Sequence, residues 1–582
     1  MTAPASSAGV RAFAAAILFI VAASTAFGQG MTFTRRLFFE APYTTGIADL
    51  DGDGRVELIG LANKGKTFRS RSPTSLGTAA MFAPLGYFRL ISDRDYGYMR
   101  ASRDTRVADV DNDGRPDLVN NVYWCNGDPA NATQLYFQNP DGTFRRDVAF
   151  DFTGPVRGRG ETIVAADFDN DGFLDLYIPQ YTRLDSYAES VGVCGPFIAA
   201  NYPPRSWLLM NRGAAQPGAF RVVAPTPVSL ATAECGADCN NSGTPFEPYA
   251  QPEGAQAIDY DEDGNIDLFV NGIMFRNQGA GSFARVYPAP GVVPPFDEGL
   301  KFIDWNNDGY PDYVYIEPFN GVIHLYTWKG GIRDAFGRIV AGQFVEVFDA
   351  NVVGAFQANA AIGSFGMTAG DVNGDGYDDV LVNGSVLDFQ PKIFVNNGPP
   401  DYAFRRVGIA GISGLRSLRD GMQVGDLNGD GRPDVVISDH FGNRSMRVFF
   451  NTTPMPPVQR LMIEVLGTYA GRPVRNQSGR VVHVTPAANP AMSYTRYVDG
   501  GSGYMSQDPY AVTVNSAYTG PHTLKIRFAA TSLQCTVTPP AYVLVRAGAS
   551  PPCTAIALPP AYPIPYGHEM RAVQPAIDLL LN

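Results

Sequence analysis

The chain has 582 residues, of which 45% are hydrophobic and 12% aromatic, enough apolar material for more than one core. The net charge is -12 and no basic run occurs, so a nucleic-acid partner has no electrostatic support. The 62 Gly and 45 Pro are the composition of many short strands joined by turns.

At the N-terminus Arg11 precedes an apolar run from Ala12 to Phe27, the length of a signal-peptide core and short for a membrane span. Ala26 and Gly28 are small residues flanking Phe27, which places a cleavage point before Gln29. Residues 1–28 therefore read as an export signal, and the mature chain as secreted, periplasmic or extracellular, with no membrane span left. Export brings oxidation, and there are six Cys. Cys535 and Cys553 are expected to pair. Cys125, Cys194, Cys235 and Cys239 are left for two bridges of open connectivity, with a four-Cys zinc site as the alternative.

Seven copies of one acidic loop follow, beginning at Asp49, Asp109, Asp167, Asp259, Asp304, Asp371 and Asp426. Each places oxygen side chains at positions 1, 3, 5 and 9, and Gly at position 6. The ligand sets are Asp49, Asp51, Asp53 and Glu57; Asp109, Asp111, Asp113 and Asp117; Asp167, Asp169, Asp171 and Asp175; and Asp259, Asp261, Asp263 and Asp267. The last three are Asp304, Asn306, Asp308 and Asp312; Asp371, Asn373, Asp375 and Asp379; and Asp426, Asn428, Asp430 and Asp434. Crowded hard oxygens require a cation, and Ca²⁺, which accepts six to eight of them, fits. Up to seven Ca²⁺ would add 14 positive charges and bring the chain near neutrality, so the acidity is mostly ligand. Gly at position 6 permits the left-handed turn. An EF-hand is excluded because position 12 is never acidic and a strand-like run follows each loop. A solvated Asx turn would explain one copy, but not seven with one positional code.

A Phe-led strand precedes the first loop, from Thr32, and recurs between loops, from Tyr87, Thr143, Ala219, Ser282, Gln343 and Ala403, and several units carry a further strand ending in Asn, as in LLMN and VFFN. Spacings between loops are 60, 58, 92, 45, 67 and 55 residues. Four strands at such a period predict an all-β fold, a seven-bladed β-propeller. The array opens with a Phe-strand and ends after VFFN, so the strand near Thr32 is expected to complete the seventh blade.

The loops and the turns between them resemble FG-GAP/VCBS repeats, the units of integrin α-subunit head propellers and of many secreted bacterial proteins. The resemblance covers roughly residues 30–455 and implies Ca²⁺ at the hairpin between the two inner strands of each blade. Asp378, at position 8 of the sixth loop, departs from the apolar or Pro residue of the other copies. The resulting division is a propeller over 29–455 with an insertion at about 180–250, a small β-rich C-terminal domain over 456–550 and a Pro-rich tail over 551–582. In the C-terminal domain the stretches Asn476–Val482 and Arg496–Gln507 resemble the ASPIC/UnbV domain of cartilage acidic protein-like proteins. The later Phe-Gly-Leu-Gly and Trp-Pro-x-Gly elements of that family are missing, so the copy is divergent.

Catalytic signals are thin. The five His are dispersed, and neither an H-E-x-x-H pair nor a G-x-S-x-G elbow occurs. The leading expectation is an extracellular calcium-binding scaffold for protein binding or adhesion, and more a binding protein than an enzyme. The alternatives are a lectin-like glycan-binding module, favoured by aromatic rows, and a polysaccharide-active lyase or hydrolase in the propeller's central depression, favoured by charged groups unconnected to calcium. Composition leaves the extracellular partner, protein or glycan, unnamed.

Overall fold

The computed structural model describes residues 30–37, 45–49, 56–63, 77–82, 89–91, 102–122, 133–141, 144–147, 150, 162–178, 207–223, 254–270, 272–287, 299–317, 321–359, 364, 366–384, 390–410, 421–439, 445–456, 459–502, 506–528 and 531–558. The export signal, Cys125, Cys194, Cys235, Cys239, most of the 180–250 insertion and the tail beyond 558 lie outside the described residues.

Each sequence unit forms an antiparallel four-stranded sheet, with its acidic loop joining the first strand to the second. The first strands are Thr45–Ala48, Ser102–Ala108, Val164–Ala166, Ala255–Ile258, Gly299–Ile303, Met367–Gly370 and Met422–Gly425. Register is fixed by the loop. The position-9 acid opens the second strand and pairs with the small or aliphatic residue just before the loop: Ala48 with Glu57, Ala108 with Asp117, Ile303 with Asp312, Gly425 with Asp434. First strands of successive units contact one another, and the seventh contacts the first. The apolar core sits between neighbouring sheets. Leu176 and Leu209 of unit 3 pack with Leu135 of unit 2, and Phe275 and Leu268 of unit 4 with Phe168 of unit 3. This is a propeller-type all-β fold.

The N-terminal strand Met31–Leu37 runs antiparallel to Ser445–Asn451, with Phe33 opposite Asn451. It supplies the fourth strand of the seventh sheet, as the phase of the repeats predicts. Phe33 is buried with Phe449 and Met422; the Leu37, Arg35 and Arg36 side chains lie outside the described residues.

Two features depart from the sequence reading. In unit 5 the outer strands are long, Val322–Arg333 and Ile339–Glu346, where a Phe-strand from Gln343 is expected. A helix, Ala350–Gln357, follows them, with Asp349 as N-cap accepting from the Asn351 N–H. Val352, Val353 and Phe356 fill the space between units 5 and 6.

From Gln459 the chain builds a second body of two sheets around a core that includes Leu461, Val484, Leu524 and Val543. Its last strand, Cys553–Ile556, pairs with Ala541–Arg546, so the sheet continues past residue 550. Cys535 and Cys553 form a disulfide, as expected.

This module does not stand apart from the ring. Its segment from Asp499 to Asp508 meets first strands of six units. The Gly500 carbonyl accepts from Ala165 N–H, and the Gln507 amide bonds both backbone groups of Val107. Ser506 and Gln507 pair with Thr45 and Gly46. Asp508 accepts from Val424 N–H, the Thr368 hydroxyl and the Lys301 ammonium. Unit 4 is met through Asp259 N–H and the Gly479 carbonyl. The Gly-rich composition follows from this close approach: a Cβ on Gly500 would strike the Ala165 carbonyl, and Gly501 has φ +117° against the Arg106 side chain.

Candidate metal centres

Within the second to seventh loops the acids at positions 1, 3, 5 and 9 each have a backbone partner. The position-1 carboxylate accepts from the position-6 N–H, at 3.0 Å from Gly114 to Asp109 and 2.8 Å from Gly376 to Asp371. Position 3 accepts from the position-5 N–H, and position 5 from the position-7 N–H, as in Asp263 to Asp261 at 3.2 Å and Asn265 to Asp263 at 2.8 Å. These bonds curl the chain so that the side chains converge. Position 6 has the left-handed φ that its glycine permits, for example +94° at Gly264. Position 4 is left-handed too, at Asn112, Asn170, Glu262 and Asn307.

Asp109, Asp111 and Asp117 each bring an oxygen to within 4.8 Å of the others, and so do Asp167, Asp169 and Asp175, and Asp259, Asp261 and Asp263. Asp167 Oδ1 and Asp426 Oδ1 are buried with no hydrogen-bond partner. A buried, unsatisfied carboxylate oxygen inside a carboxylate cluster fits a cation. Electrostatics agree. Burial, then repulsion from Asp111 and Asp113, pushes Asp109 up to about 7. Burial and Asp308 push Asp304 to about 8, and burial and Asp371 push Asp375 to about 8.

The position-9 acid does more than close a shell. Asp117, Asp175, Asp267, Asp312, Asp379 and Asp434 are fully buried, and both oxygens of each accept backbone N–H bonds. One bond comes from position 2 of the loop and the other from the third strand, so this residue ties loop to sheet. Position 3 as Asn changes the local pattern. Asn306, Asn373 and Asn428 donate to the position-5 carboxylates at 2.9–3.0 Å, and each keeps its oxygen in the loop. Of the first loop's ligand positions only Asp49 has a described side chain; Asp51 and Asp53 lie outside the described residues, as does the Glu57 side chain.

Nearby cations divide the loops further. Arg276 bridges Asp261 at 2.7 Å and Asp263 at 3.0 Å. Arg480 lies 3.8 Å from Asp259. The fourth loop has four carboxylates but two guanidiniums against them, so carboxylate number alone does not order the loops. Expected outcome: Asn428→Asp tightens the seventh loop for Ca²⁺ by about tenfold, Asp111→Asn weakens the second to a similar degree, and Arg276→Met tightens the fourth, as charge is one lever on affinity. Site-resolved titration of the three variants checks this, and three unchanged affinities would count against charge.

The sequence marks an Asn at the end of the third strand in several units without giving it a task. The structure assigns one. Asn211 Nδ2 donates to the Val110 carbonyl of the previous unit at 2.8 Å. Asn277 reaches Phe168, Asn396 reaches Trp305 and Asn451 reaches Val372, at 2.6–2.8 Å. Each amide oxygen also accepts from the N–H two residues on, as at Gly213, Gly279, Gly398 and Thr453. These buried amides staple neighbouring sheets at the loops. Asn277→Ala takes their partner from the Ile266 carbonyl and the Gly279 N–H, while the Phe168 carbonyl keeps the Gly281 N–H, and is expected to cost about 2–3 kcal/mol in denaturant unfolding. A loss under about 0.5 kcal/mol would mean the staple carries no weight.

The C-terminal module covers this loop face. Arg475 bonds Asp49 at 2.8 Å, Arg460 bonds Asp426 at 2.8 Å, and Asn515 bonds Asp371 at 3.0 Å. Arg480 reaches the Gly264 carbonyl at 2.7 Å, and His483 reaches Glu262 at 3.0 Å. Arg496 lies 3.2 Å from Asp378, which accounts for an acid at that position: it is an interdomain ion pair. In the ring's centre Lys301 contacts Asp499 at 3.0 Å, Ser502 at 2.8 Å and Asp508 at 2.7 Å. Burial pulls Lys301 down, but the two carboxylates outweigh it and hold the ammonium above its ordinary range. A cavity of about 130 Å³ remains beside this cluster, bordered by Lys301, Asp371, Asp426, Arg460 and Arg496. Of the remaining His, His324 lies 2.6 Å from Glu346 and His522 lies 2.8 Å from Ser516.

Comparison with known proteins agrees with this geometry. The FG-GAP-like repeat family matches residues 109–178, 304–382 and 371–437. Cartilage acidic protein 1 of Mus musculus is 22% identical over 509 residues, covering 80% of this chain and 67% of that protein. Among solved structures, the V. cholerae biofilm matrix protein Bap1 aligns with TM-score 0.28 and 9% identity over 74% of this chain and 85% of its own. AofleA from Arthrobotrys oligospora aligns with TM-score 0.23 and 10% identity over 54% and 91%. Repeated acidic loops and four-stranded units thus coincide with FG-GAP-like repeats over residues 109–178, 304–382 and 371–437, in an all-β fold of propeller type.

Proposed function

We propose that the chain is an extracellular, calcium-loaded, seven-bladed scaffold that binds a protein partner through the outer hairpin of unit 5. The carrying observation is where apolar side chains meet solvent. Among the described residues, Ile332, Phe336, Val340, Val345 and Phe348 are exposed on and just after this one hairpin, Phe336 by 69% and Phe348 by 73%. Apolar surface concentrated in that way marks an interaction site. Calcium at the seven loops, held by positions 1, 3, 5 and 9, would fix the hairpin's base, because Arg333 bonds Glu262 of the fourth loop at 2.7 Å. Likeness to a cartilage protein and the Cys535–Cys553 disulfide favour an extracellular setting. The polysaccharide-active alternative has less support, because Lys301, Asp499 and Asp508 in the ring's centre are engaged with one another.

The test is capture from extracellular extract in Ca²⁺. A partner held by the intact protein should be lost with Phe336→Lys and Phe348→Lys at an unchanged melting temperature. Capture surviving both substitutions overturns the assignment of the hairpin.

A further inference from the structure

The stretch Asn476–Arg480 of the C-terminal module lies between the third and fourth loops and meets both at position 6. Asn476 Nδ2 donates to the Gly172 carbonyl, and Arg480 Nη1 donates to the Gly264 carbonyl at 2.7 Å. Arg480 Nη2 also reaches Asn170 Oδ1, at position 4 of the third loop, at 3.1 Å. Between the two side chains the backbone itself touches the ring. The Gly479 carbonyl accepts from Asp259 N–H at 2.9 Å, and Gly479 has φ +83°, with Ile266 standing where a Cβ would go. The sixth loop repeats the contact, its Gly376 carbonyl accepting from Arg496 at 3.3 Å.

Position 6 is bonded on both sides. Its N–H donates inward to the position-1 carboxylate, at 3.0 Å from Gly172 to Asp167 and 3.1 Å from Gly264 to Asp259. Its carbonyl is the group that the module bonds. The left-handed φ of +90° at Gly172 and +94° at Gly264 sets this division, and the curl of the loop sets that φ. The same curl crowds Asp167, Asp169 and Asp175, and in the fourth loop Asp259, Asp261 and Asp263, to within 4.8 Å. Without a cation, carboxylates so placed repel one another and favour a more open loop. Opening the loop undoes the turn that aims the position-6 carbonyl at Asn476 or Arg480. A cation that holds the curl therefore favours the docked module, and by linkage the docked module favours the cation. We propose that Asn476–Arg480 makes docking of the C-terminal module calcium-dependent, tight on the loaded ring and loosened when the third and fourth loops are empty. The proposal rests on calcium filling the loops and is independent of the unit 5 hairpin. Arg480 carries a charge 3.8 Å from Asp259 that opposes the cation, so the coupling is best read at the neutral Asn476.

The experiment is hydrogen exchange on the intact protein in Ca²⁺ and in EGTA, below the melting temperature of the chelated form, beside site-resolved Ca²⁺ titration. Two ring amides report docking, because module groups accept from them: Ala165 N–H bonds the Gly500 carbonyl and Val424 N–H bonds Asp508, each at 3.1 Å. Chelation is expected to lower their protection about tenfold, within the usual range of couplings, while the strand Trp207–Asn211 of the same sheet as Ala165 stays protected. Asn476→Ala changes no charge, and the Gly172 carbonyl keeps Asn112 at 2.7 Å. By reciprocity this variant should bind Ca²⁺ at the third loop about fivefold more weakly. If it folds poorly, the exchange of the parent still decides. Protection unchanged on chelation, equal loss in Trp207–Asn211, or an unchanged third-loop affinity in Asn476→Ala each overturns the coupling. A parent that takes up no Ca²⁺ overturns the calcium reading beneath it as well.

Discussion

Chelating calcium from the intact protein is expected to lower its melting temperature by roughly 15 °C near pH 8 and by far less near pH 5. The magnitude comes from linkage. A site at a free-ion concentration of a hundred times Kd adds about 2.7 kcal/mol, so seven such loops add roughly 19 kcal/mol. Unfolding entropy near 2.1 cal/mol/K per residue is roughly 1.2 kcal/mol/K over a chain of this length, which converts that figure to degrees. The pH dependence follows from the loop acids. Without an ion Asp371 is raised to about 6 by burial, Asp109 to about 7, and Asp304 and Asp375 to about 8. A carboxylate raised in the folded state contributes stability that is full below its unfolded pKa, near 4, and is lost as pH rises through the folded value. The ion-free protein therefore weakens between about pH 4 and pH 8, as charges appear that nothing neutralises. Bound calcium removes that penalty, so the gap between loaded and chelated melts should widen with pH. Differential scanning calorimetry in Ca²⁺ and in EGTA at several pH values measures it. A gap that stays constant or narrows toward pH 8 would sink the argument.

The loops were legible because their chemistry fixes both residue type and spacing. Convergence of positions 1, 3 and 5 needs acids or amides at alternate residues, and the turn needs Gly at 6, so the pattern survives on the page whatever surrounds it. Register came with it, since Asp312 pairs with Ile303 as the first rung of the sheet. The N-terminal strand was legible from phase alone. What stayed hidden were contacts between distant segments. Asn277 looks like a turn residue until Phe168 of another unit is placed beside it. Arg460, Arg475, Arg480 and Arg496 are ordinary in sequence, yet three pair with loop acids and Arg496 with Asp378. The module's docking was unreadable for the same reason, although Gly500 and Gly501 mark where the backbone passes close to the ring. A count of carboxylates in each loop likewise omits the cations that face them, such as Arg276 against Asp261.

Deleting residues 31–37 is expected to unfold the whole ring and not a single sheet. The strand Met31–Leu37 is laid down first in synthesis and meets its partner only after some 420 residues, as the Thr32 to Thr452 separation records. It bonds Ser445–Asn451 along its length, from Phe33 opposite Asn451 to Leu37 opposite Arg447. Thr452 N–H donates to the Thr32 carbonyl at 2.8 Å, extending the pairing by a rung. Met31 and Phe33 are buried among Val407, Met422, Val435 and Phe449, so the strand also seals the core between units 6 and 7. Losing two such side chains costs about 2–5 kcal/mol each, before the exposed edge of Ser445–Asn451 is counted. That total approaches the 5–15 kcal/mol by which domains are ordinarily stable. The milder Phe33→Ala should cost about 3–5 kcal/mol and stay folded in Ca²⁺. Two probes separate global from local loss: hydrogen exchange in Ser445–Asn451, and in Val164–Ala166 on a distant unit. Global opening predicts that protection falls in both. Protection retained at Val164–Ala166, with a cooperative melt at the full-length temperature, would show that the ring holds without its closing strand.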